Sequence, residues 1–135
     1  MLVFWNPNLL TCTMIEMGAQ HMHFKCIFRT TQTVLYATFV YSLYTVLERK
    51  ALWEHLALLG DQIRDPWLIA GDFNCVCSPN ERVGSSTPSA YLMKDLTDFK
   101  IRASLEDAPP STGEFYTWNK GSLWAKLDRV LLNET

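Results

Sequence analysis

Hydrophobic and polar positions alternate with a period of two along the first third of the chain and then switch to the period of a helix. Met1 to Trp5 reads as a strand that stops at Asn6-Pro7-Asn8, a turn signal set by proline's fixed φ and asparagine's tolerance of unusual dihedrals. Leu9 to Glu16 is a second apolar, β-tolerant run closed by Gly18, and Gln20 to Arg29 sets His21, His23 and Lys25 against Met22, Phe24 and Cys26, as in a half-buried strand with one exposed face. Thr33 to Tyr41 is rich in β-branched and aromatic residues. Together these runs predict an antiparallel meander.

The period changes at Thr45-Val46-Leu47-Glu48, which fits a capping box. Leu52, Leu56, Leu59 and Ile63 follow on one helical stripe, which predicts a helix over 46–64 ended by Asp65-Pro66. Trp67 to Ala70 is a short apolar run, read as a buried strand that delivers Gly71-Asp72-Phe73-Asn74 at its C-terminal end. Ser78 to Ser89 reads as loop, and Thr87-Pro88 as the start of a second helix with Leu92, Leu96 and Phe99 on its apolar face. A short strand at 104–107, a turn at Pro109-Pro110, and two strands, Phe115 to Trp118 and Leu123 to Leu132, joined across Asn119 to Ser122, complete the prediction.

Composition narrows the picture. The chain has 135 residues, 48% hydrophobic and 19% charged, which suits one folded domain over 1–135 and excludes a multidomain enzyme or a disordered linker. Lys and Arg number 12 against 14 Asp and Glu, so electrostatics alone does not point to nucleic acid. The uncharged stretch Thr30 to Leu47 is too rich in Thr, Ser and Tyr for a membrane span. No secretory or organelle signal is legible, so the expected location is nuclear or cytoplasmic. The four cysteines, Cys12, Cys26, Cys75 and Cys77, form no C-x-x-C pair and are read as reduced.

Candidate chemistry concentrates at Asp72-Phe73-Asn74. Side chains two apart on a strand share a face, so this spacing would converge a carboxylate and an amide on one spot. Such a pair suits phosphoryl chemistry: the carboxylate takes a proton from water or helps hold a divalent cation, and the amide donates to a phosphoryl oxygen. A polar strand end turning into a loop explains the same residues. His21-x-His23 places two imidazoles on one face, and Cys26 or Cys75-x-Cys77 could complete a zinc tetrahedron. The spacings of structural zinc are absent, however, and an exposed alternating strand is the preferred reading.

"PWLIAGDFN" at Pro66 to Asn74, "FYTW" at Phe115 to Trp118 and "KLDRVLLN" at Lys126 to Asn133 resemble the endonuclease/exonuclease/phosphatase superfamily. More narrowly they are similar to the apurinic-type endonuclease domain of plant non-LTR (LINE-type) retrotransposons, as are "VFWNPN", "AQHMH", "YATFVY" and "ERKALWEHL" upstream. The resemblance implies an α/β fold, a partial four-layer α/β/β/α sandwich lacking terminal strands, and a Mg²⁺-dependent endonuclease that nicks DNA. Asp72 would match the aspartate that activates water, and Asn74 the asparagine that steadies the phosphate. Tyr41 would match a tyrosine contacting the phosphate, Thr117 a position lining the pocket, and Asp128 the aspartate that orients a catalytic histidine. From the residues alone, Tyr41 as a strand-end aromatic, Thr117 as a β-former and Asp128 as an ion-pair partner of Arg129 or Lys126 stay open.

The family's metal-binding glutamate and terminal histidine have no counterpart in the chain, no residue is assigned as a metal ligand, and Tyr44 stands where an asparagine is usual. The expectation is therefore a truncated remnant of a Mg²⁺-dependent, DNA-directed nuclease, inactive as this chain. Small-molecule phosphatase chemistry shares the same core. The alternative from another class is a non-catalytic interaction module that self-associates through uncovered apolar surface.

Overall fold

The structure is a computed structural model that describes residues 1–109 and 113–135. Three strands, β1 (Leu10–Met17), β2 (His21–Phe28) and β3 (Val34–Tyr41), form the expected antiparallel meander. Helix α1 (Val46–Gly60) then carries the chain to β4 (Trp67–Asp72), which lies parallel to β3, as a helical crossover permits. A short 3₁₀ turn (Pro79–Glu81), β5 (Arg82–Val83), α2 (Ala90–Arg102), β6 (Leu105–Asp107), β7 (Trp118–Lys120), β8 (Leu123–Ala125) and β9 (Asp128–Asn133) follow. The large sheet runs β1-β2-β3-β4-β9-β6, and a small one runs β5-β8-β7. The class is α/β as expected, and the layers present are consistent with part of the four-layer sandwich.

One face of the large sheet packs against both helices. Leu56, Ile69, Phe73, Leu96 and Leu131 are fully enclosed there. Trp53 stacks on Phe73 and Phe99 with ring centroids 5.8 and 5.0 Å apart. Its indole N–H donates to Asp95 at 2.8 Å, and Arg49 donates to the same carboxylate at 2.9 Å, so one acidic side chain of α2 ties down two residues of α1. Among the described residues the opposite face buries only Phe24, Cys26 and Ala37, with Val3 packed over them.

The sequence pattern and the structure part at several places. Met1 to Trp5 is not a strand, because among the described residues no strand pairs with it; Val3 and the Trp5 ring instead lie on the sheet, with Trp5 edge-on to Phe24 at 6.3 Å. Helix α1 stops at Gly60 rather than near residue 64. A side chain at position 60 would meet the Trp67 ring at 2.9 Å, and the chain turns there with Asp61 N–H bonded to the Ala57 carbonyl. Helix α2 is capped by Ser89, whose hydroxyl accepts from Leu92 N–H, and not by Thr87-Pro88. The run expected as one strand over 123–132 divides at Lys126-Leu127. There the chain leaves the small sheet, and the Leu127 carbonyl accepts from Phe73 N–H before β9 enters the large one. Of Phe115 to Trp118 only Trp118 is in a strand. Pro110, half of the expected turn at Pro109-Pro110, lies outside the described residues.

Strand β2 is not half-exposed. His21 and His23 are 8% and 2% exposed, because Glu16 of β1 and His55 of α1 meet the His21 ring while Thr38 and Tyr36 take up His23. The cysteines also depart from expectation: Cys12 and Cys26, register partners on β1 and β2, form a disulfide, while Cys75 and Cys77 are free. Burial pushes the Cys75 thiol up to about 12, which removes thiolate character at neutral pH. Alkylation of the denatured, unreduced protein should label two cysteines, and all four after reduction; labelling of four without reductant would mean that Cys12 and Cys26 are not bonded.

Candidate functional site

Strand β4 ends where the chemistry begins. Gly71 has φ +138°, and a Cβ there would meet the Val40 carbonyl oxygen at 2.0 Å, so only glycine lets β4 approach β3 this closely. In the next row across the sheet, Tyr41 on β3, Asp72 on β4 and Asp128 on β9 are direct neighbours. Three residues far apart in sequence thus point from one row on the sheet face opposite the helices, since side chains directly across adjacent strands share a face.

Asn74 joins the row by a different route from the one the spacing suggested. The strand stops at Asp72, and Asn74 takes a left-handed backbone with φ +47°. Its N–H donates to the Asp72 carboxylate at 2.8 Å, and its side-chain amide donates to the Ser42 carbonyl at 2.7 Å. A turn, not the strand pleat, sets Asn74 beside Asp72. Phe73 between them is fully buried under Trp53, with the Arg129 guanidinium 5.8 Å from its ring centroid. Ser42 holds the arrangement from below: its N–H bonds the Asp72 carbonyl at 2.9 Å and its hydroxyl donates to the Phe73 carbonyl.

Thr117 lies against Asp128, its hydroxyl oxygen accepting from the N–H groups of Leu127 at 3.1 Å and Asp128 at 3.0 Å. Asp128 does not pair with Arg129 or Lys126. Those cations turn to the other face of the sheet, where Arg129 meets Glu81 at 2.8 Å and Asp107 at 3.2 Å, and Lys126 meets Asp107 at 3.1 Å. Asp128 makes no ion pair among the described residues and stays exposed beside Asp72. No histidine takes up its carboxylate either: His21 and His55 bond Glu16, and His23 bonds Thr38.

The electrostatics follow from this crowding. Burial raises the Asp72 carboxyl above its usual range, the Asn74 N–H pulls it part of the way back, and the Asp128 charge raises it further. A hydrogen bond with Tyr44 lifts the Tyr41 phenol above its ordinary value, with Asp72 as a smaller contributor. A carboxyl raised on folding stabilises the fold only below its unfolded value and loses that contribution as pH rises through the folded one. Asp72→Asn should therefore stabilise the protein at pH 7, with the gain vanishing at pH 3, as read from urea midpoints at the two pH values. Equal midpoints at pH 7 would show that Asp72 carries no such cost.

Two depressions flank the row. One, of 260 Å³, reaches from Asn74 and Tyr44 to Arg82 and Trp118; the other, of 470 Å³, reaches from Asp128 and Thr117 to Lys126 and Phe115. Sequence reasoning named Tyr41, Asp72, Asn74, Thr117 and Asp128, and noted Tyr44 only as a departure. It missed Ser42, for which a lone serine after a strand carries no signal.

A model of the Endonuclease/Exonuclease/phosphatase family matches residues 2–135. Among solved structures, the AP endonuclease LMAP from Leishmania major superposes with a TM-score of 0.68 at 14% identity, over 95% of this chain and 54% of that one. The endonuclease domain of TRAS1, a telomere-specific non-LTR retrotransposon, gives 0.64 at 10% identity, over 93% and 56%. The human Nocturnin catalytic domain with bound sulfate gives 0.56 at 13% identity, over 95% and 50%. The chain spans about half the length of these structures, and at such identities the likeness speaks for the fold. No curated protein matches it.

Proposed function

The chain belongs to the endonuclease/exonuclease/phosphatase family, and from that premise we propose that its site is built for phosphodiester hydrolysis on DNA, as in a non-LTR retrotransposon endonuclease, and that this chain by itself does not turn over. The observation that carries the reading is the row Tyr41, Asp72 and Asp128 across three adjacent strands, with Asn74 turned onto its end. The endonuclease names of LMAP and TRAS1 favour the nuclease branch over a small-molecule phosphatase.

In this reading Asp72, with its raised proton affinity, either takes the proton of an attacking water or helps hold a divalent cation, which would lower that affinity. Asn74 spends one amide N–H on the Ser42 carbonyl, which fixes the side chain and leaves the second for a phosphoryl oxygen. The exposed Tyr41 phenol donates to the same phosphate, and Thr117 fixes the backbone that carries Asp128.

The family's Mg²⁺ fits this donor set: two carboxylates side by side, one of them with a raised pKa, are relieved by a divalent cation. Asp72 and Asp128 would hold the ion, which when bound offsets charge on the phosphoryl group. One or two carboxylates hold Mg²⁺ weakly. Among the described residues no third carboxylate or imidazole joins Asp72 and Asp128, and a site without such a group forgoes about 10² to 10⁴ of rate for each one. Purified protein with supercoiled plasmid and Mg²⁺ should give no nicking above buffer, whereas nicking abolished by Asp72→Ala would overturn the inactivity. A short DNA duplex titrated in an amide NMR experiment should shift Tyr41, Asp72, Asn74, Thr117 and Asp128; shifts confined to other surfaces would overturn the site.

A second reading rests on the sheet face opposite the helices, where Met14, Val130 and Leu132 are 49%, 40% and 37% exposed. Apolar surface of this kind favours self-association. Size-exclusion chromatography over a range of concentrations should show a concentration-dependent larger species, and a monomer throughout would remove this reading.

A further inference from the structure

A separate cluster of ligating groups lies on the helix side of the sheet. Strand β1 has an irregularity between Met14 and Glu16 that shifts its register by one and sets Glu16 opposite His23, on the face covered by α1. His21 of β2 points to that face from the next strand, and His55 comes down from α1. The Nε2 atoms of both imidazoles are directed at the same Glu16 oxygen, that of His21 at 2.9 Å. The two rings lie 4.9 Å apart. The three ligand atoms fall within 4.8 Å of one another; both imidazole nitrogens stand closer to the Glu16 oxygen than the edge of a zinc tetrahedron, about 3.3 Å, so an ion enters by replacing these two hydrogen bonds as the carboxylate draws back.

We infer that Glu16, His21 and His55 form a zinc site that clips the β1-β2 hairpin to α1, with water in the fourth position. Two imidazoles and one carboxylate are a ligand set that Zn²⁺ accepts and Mg²⁺ does not favour, which separates this site from the carboxylate row. His21 is set for the task by its surroundings. Its side chain is 9% exposed, and its ring occupies space that Gly18 leaves open, since a Cβ at position 18 would come within 2.4 Å of the ring. The side chains of Glu16 and His55, at 32% and 43% exposure, leave a path for the ion and for the fourth ligand. His23, next along β2, is otherwise engaged: its Nδ1 bonds the Thr38 hydroxyl at 2.8 Å and its ring stacks on Tyr36.

The placement links the clip to the end of the sheet that carries the carboxylate row. Gln20, adjacent to His21, accepts from Tyr41 N–H at 2.9 Å through its carbonyl and from Leu43 N–H at 2.8 Å through its side chain, and its amide donates to the Glu48 carbonyl at 3.0 Å. An ion held beside Gln20 therefore steadies the segment between β3 and α1 as well as the hairpin.

Titration of the full chain with Co²⁺ and with Zn²⁺ tests this directly. One equivalent should bind, with visible Co²⁺ bands of nitrogen and oxygen ligation, no thiolate charge-transfer band, and a higher melting temperature in Zn²⁺. His55→Ala, at a partly exposed helical position where alanine is well tolerated, should weaken binding about 100-fold or more and abolish the thermal shift. Gly18→Ala, which keeps all three ligands but displaces the His21 ring, should weaken it about tenfold. Absence of saturable binding, a thiolate band, or an affinity unchanged in His55→Ala would each overturn the assignment.

Discussion

Arg129→Met is expected to lower stability by about 3–5 kcal/mol, the usual cost of leaving one partner of a buried ion pair uncompensated. The Arg129 side chain is fully buried and donates to both oxygens of Glu81, at 3.1 and 2.8 Å, and to Asp107 at 3.2 Å. Glu81 is itself 5% exposed. Burial alone would raise the Glu81 carboxyl, but the hydrogen bonds and charge of Arg129 overcome that and hold it below its ordinary value. Once the guanidinium is gone, the Glu81 carboxylate must protonate or draw in water. A carboxyl depressed on folding stabilises the fold above its unfolded value, and that contribution fades as pH falls through the folded one. The deficit of Arg129→Met should therefore be largest at neutral pH and shrink below pH 4. Urea unfolding at pH 7 and pH 3.5 measures both, and a second change, Glu81→Gln, should recover part of the loss at neutral pH. A deficit under about 1 kcal/mol at pH 7 would show that the pair is solvated rather than buried.

Phe73→Ala is expected to cost about 3–5 kcal/mol, the range for removing a buried aromatic ring. The ring is fully buried, stacks on Trp53 at 5.8 Å and supports the Arg129 guanidinium on its other side. It also lies between Asp72 and Asn74, so its removal should loosen the turn that holds them. The Asn74 N–H bond to Asp72 at 2.8 Å then weakens, and amide exchange at Asn74 should accelerate by more than the global loss of stability explains. Phe73→Leu keeps most of the volume and should cost about 1.5 kcal/mol or less. If both variants unfold at the same urea concentration as the parent, Phe73 is not the packing anchor of the site.

The parts of the fold that were legible in the sequence are those fixed by local chemistry. The capping box at Thr45 and Glu48 forms as written, because its two hydrogen bonds close within three residues. Strands β1, β2 and β4 begin or end near the turn and breaker residues Asn6-Pro7-Asn8, Gly18 and Asp65-Pro66. The candidate residues were chosen by motif order, since Asp72 and Asn74 stand in "GDFN" and Asp128 in "KLDRV". Misreadings arose where a distant partner decides. A strand needs a neighbour, and Met1 to Trp5 has none among the described residues. A period of two marks a half-exposed strand only if one face is open, and on β2 that face is taken up by His55 of α1 at His21 and by Thr38 and Tyr36 at His23.

The chain order of apolar and polar residues thus determined that helices and strands would form, and which short segments would carry charge at their ends. Only the tertiary structure decided what those charges do. Pairing of β4 with β3 and β9 sets Tyr41, Asp72 and Asp128 in one row, and the shift in β1 with the descent of α1 brings Glu16 to His21 and His55. The physical reason is range. Caps, turns and periodicity are settled between residues a few positions apart, whereas register and crossover geometry depend on which surfaces bury one another, and no local pattern encodes that.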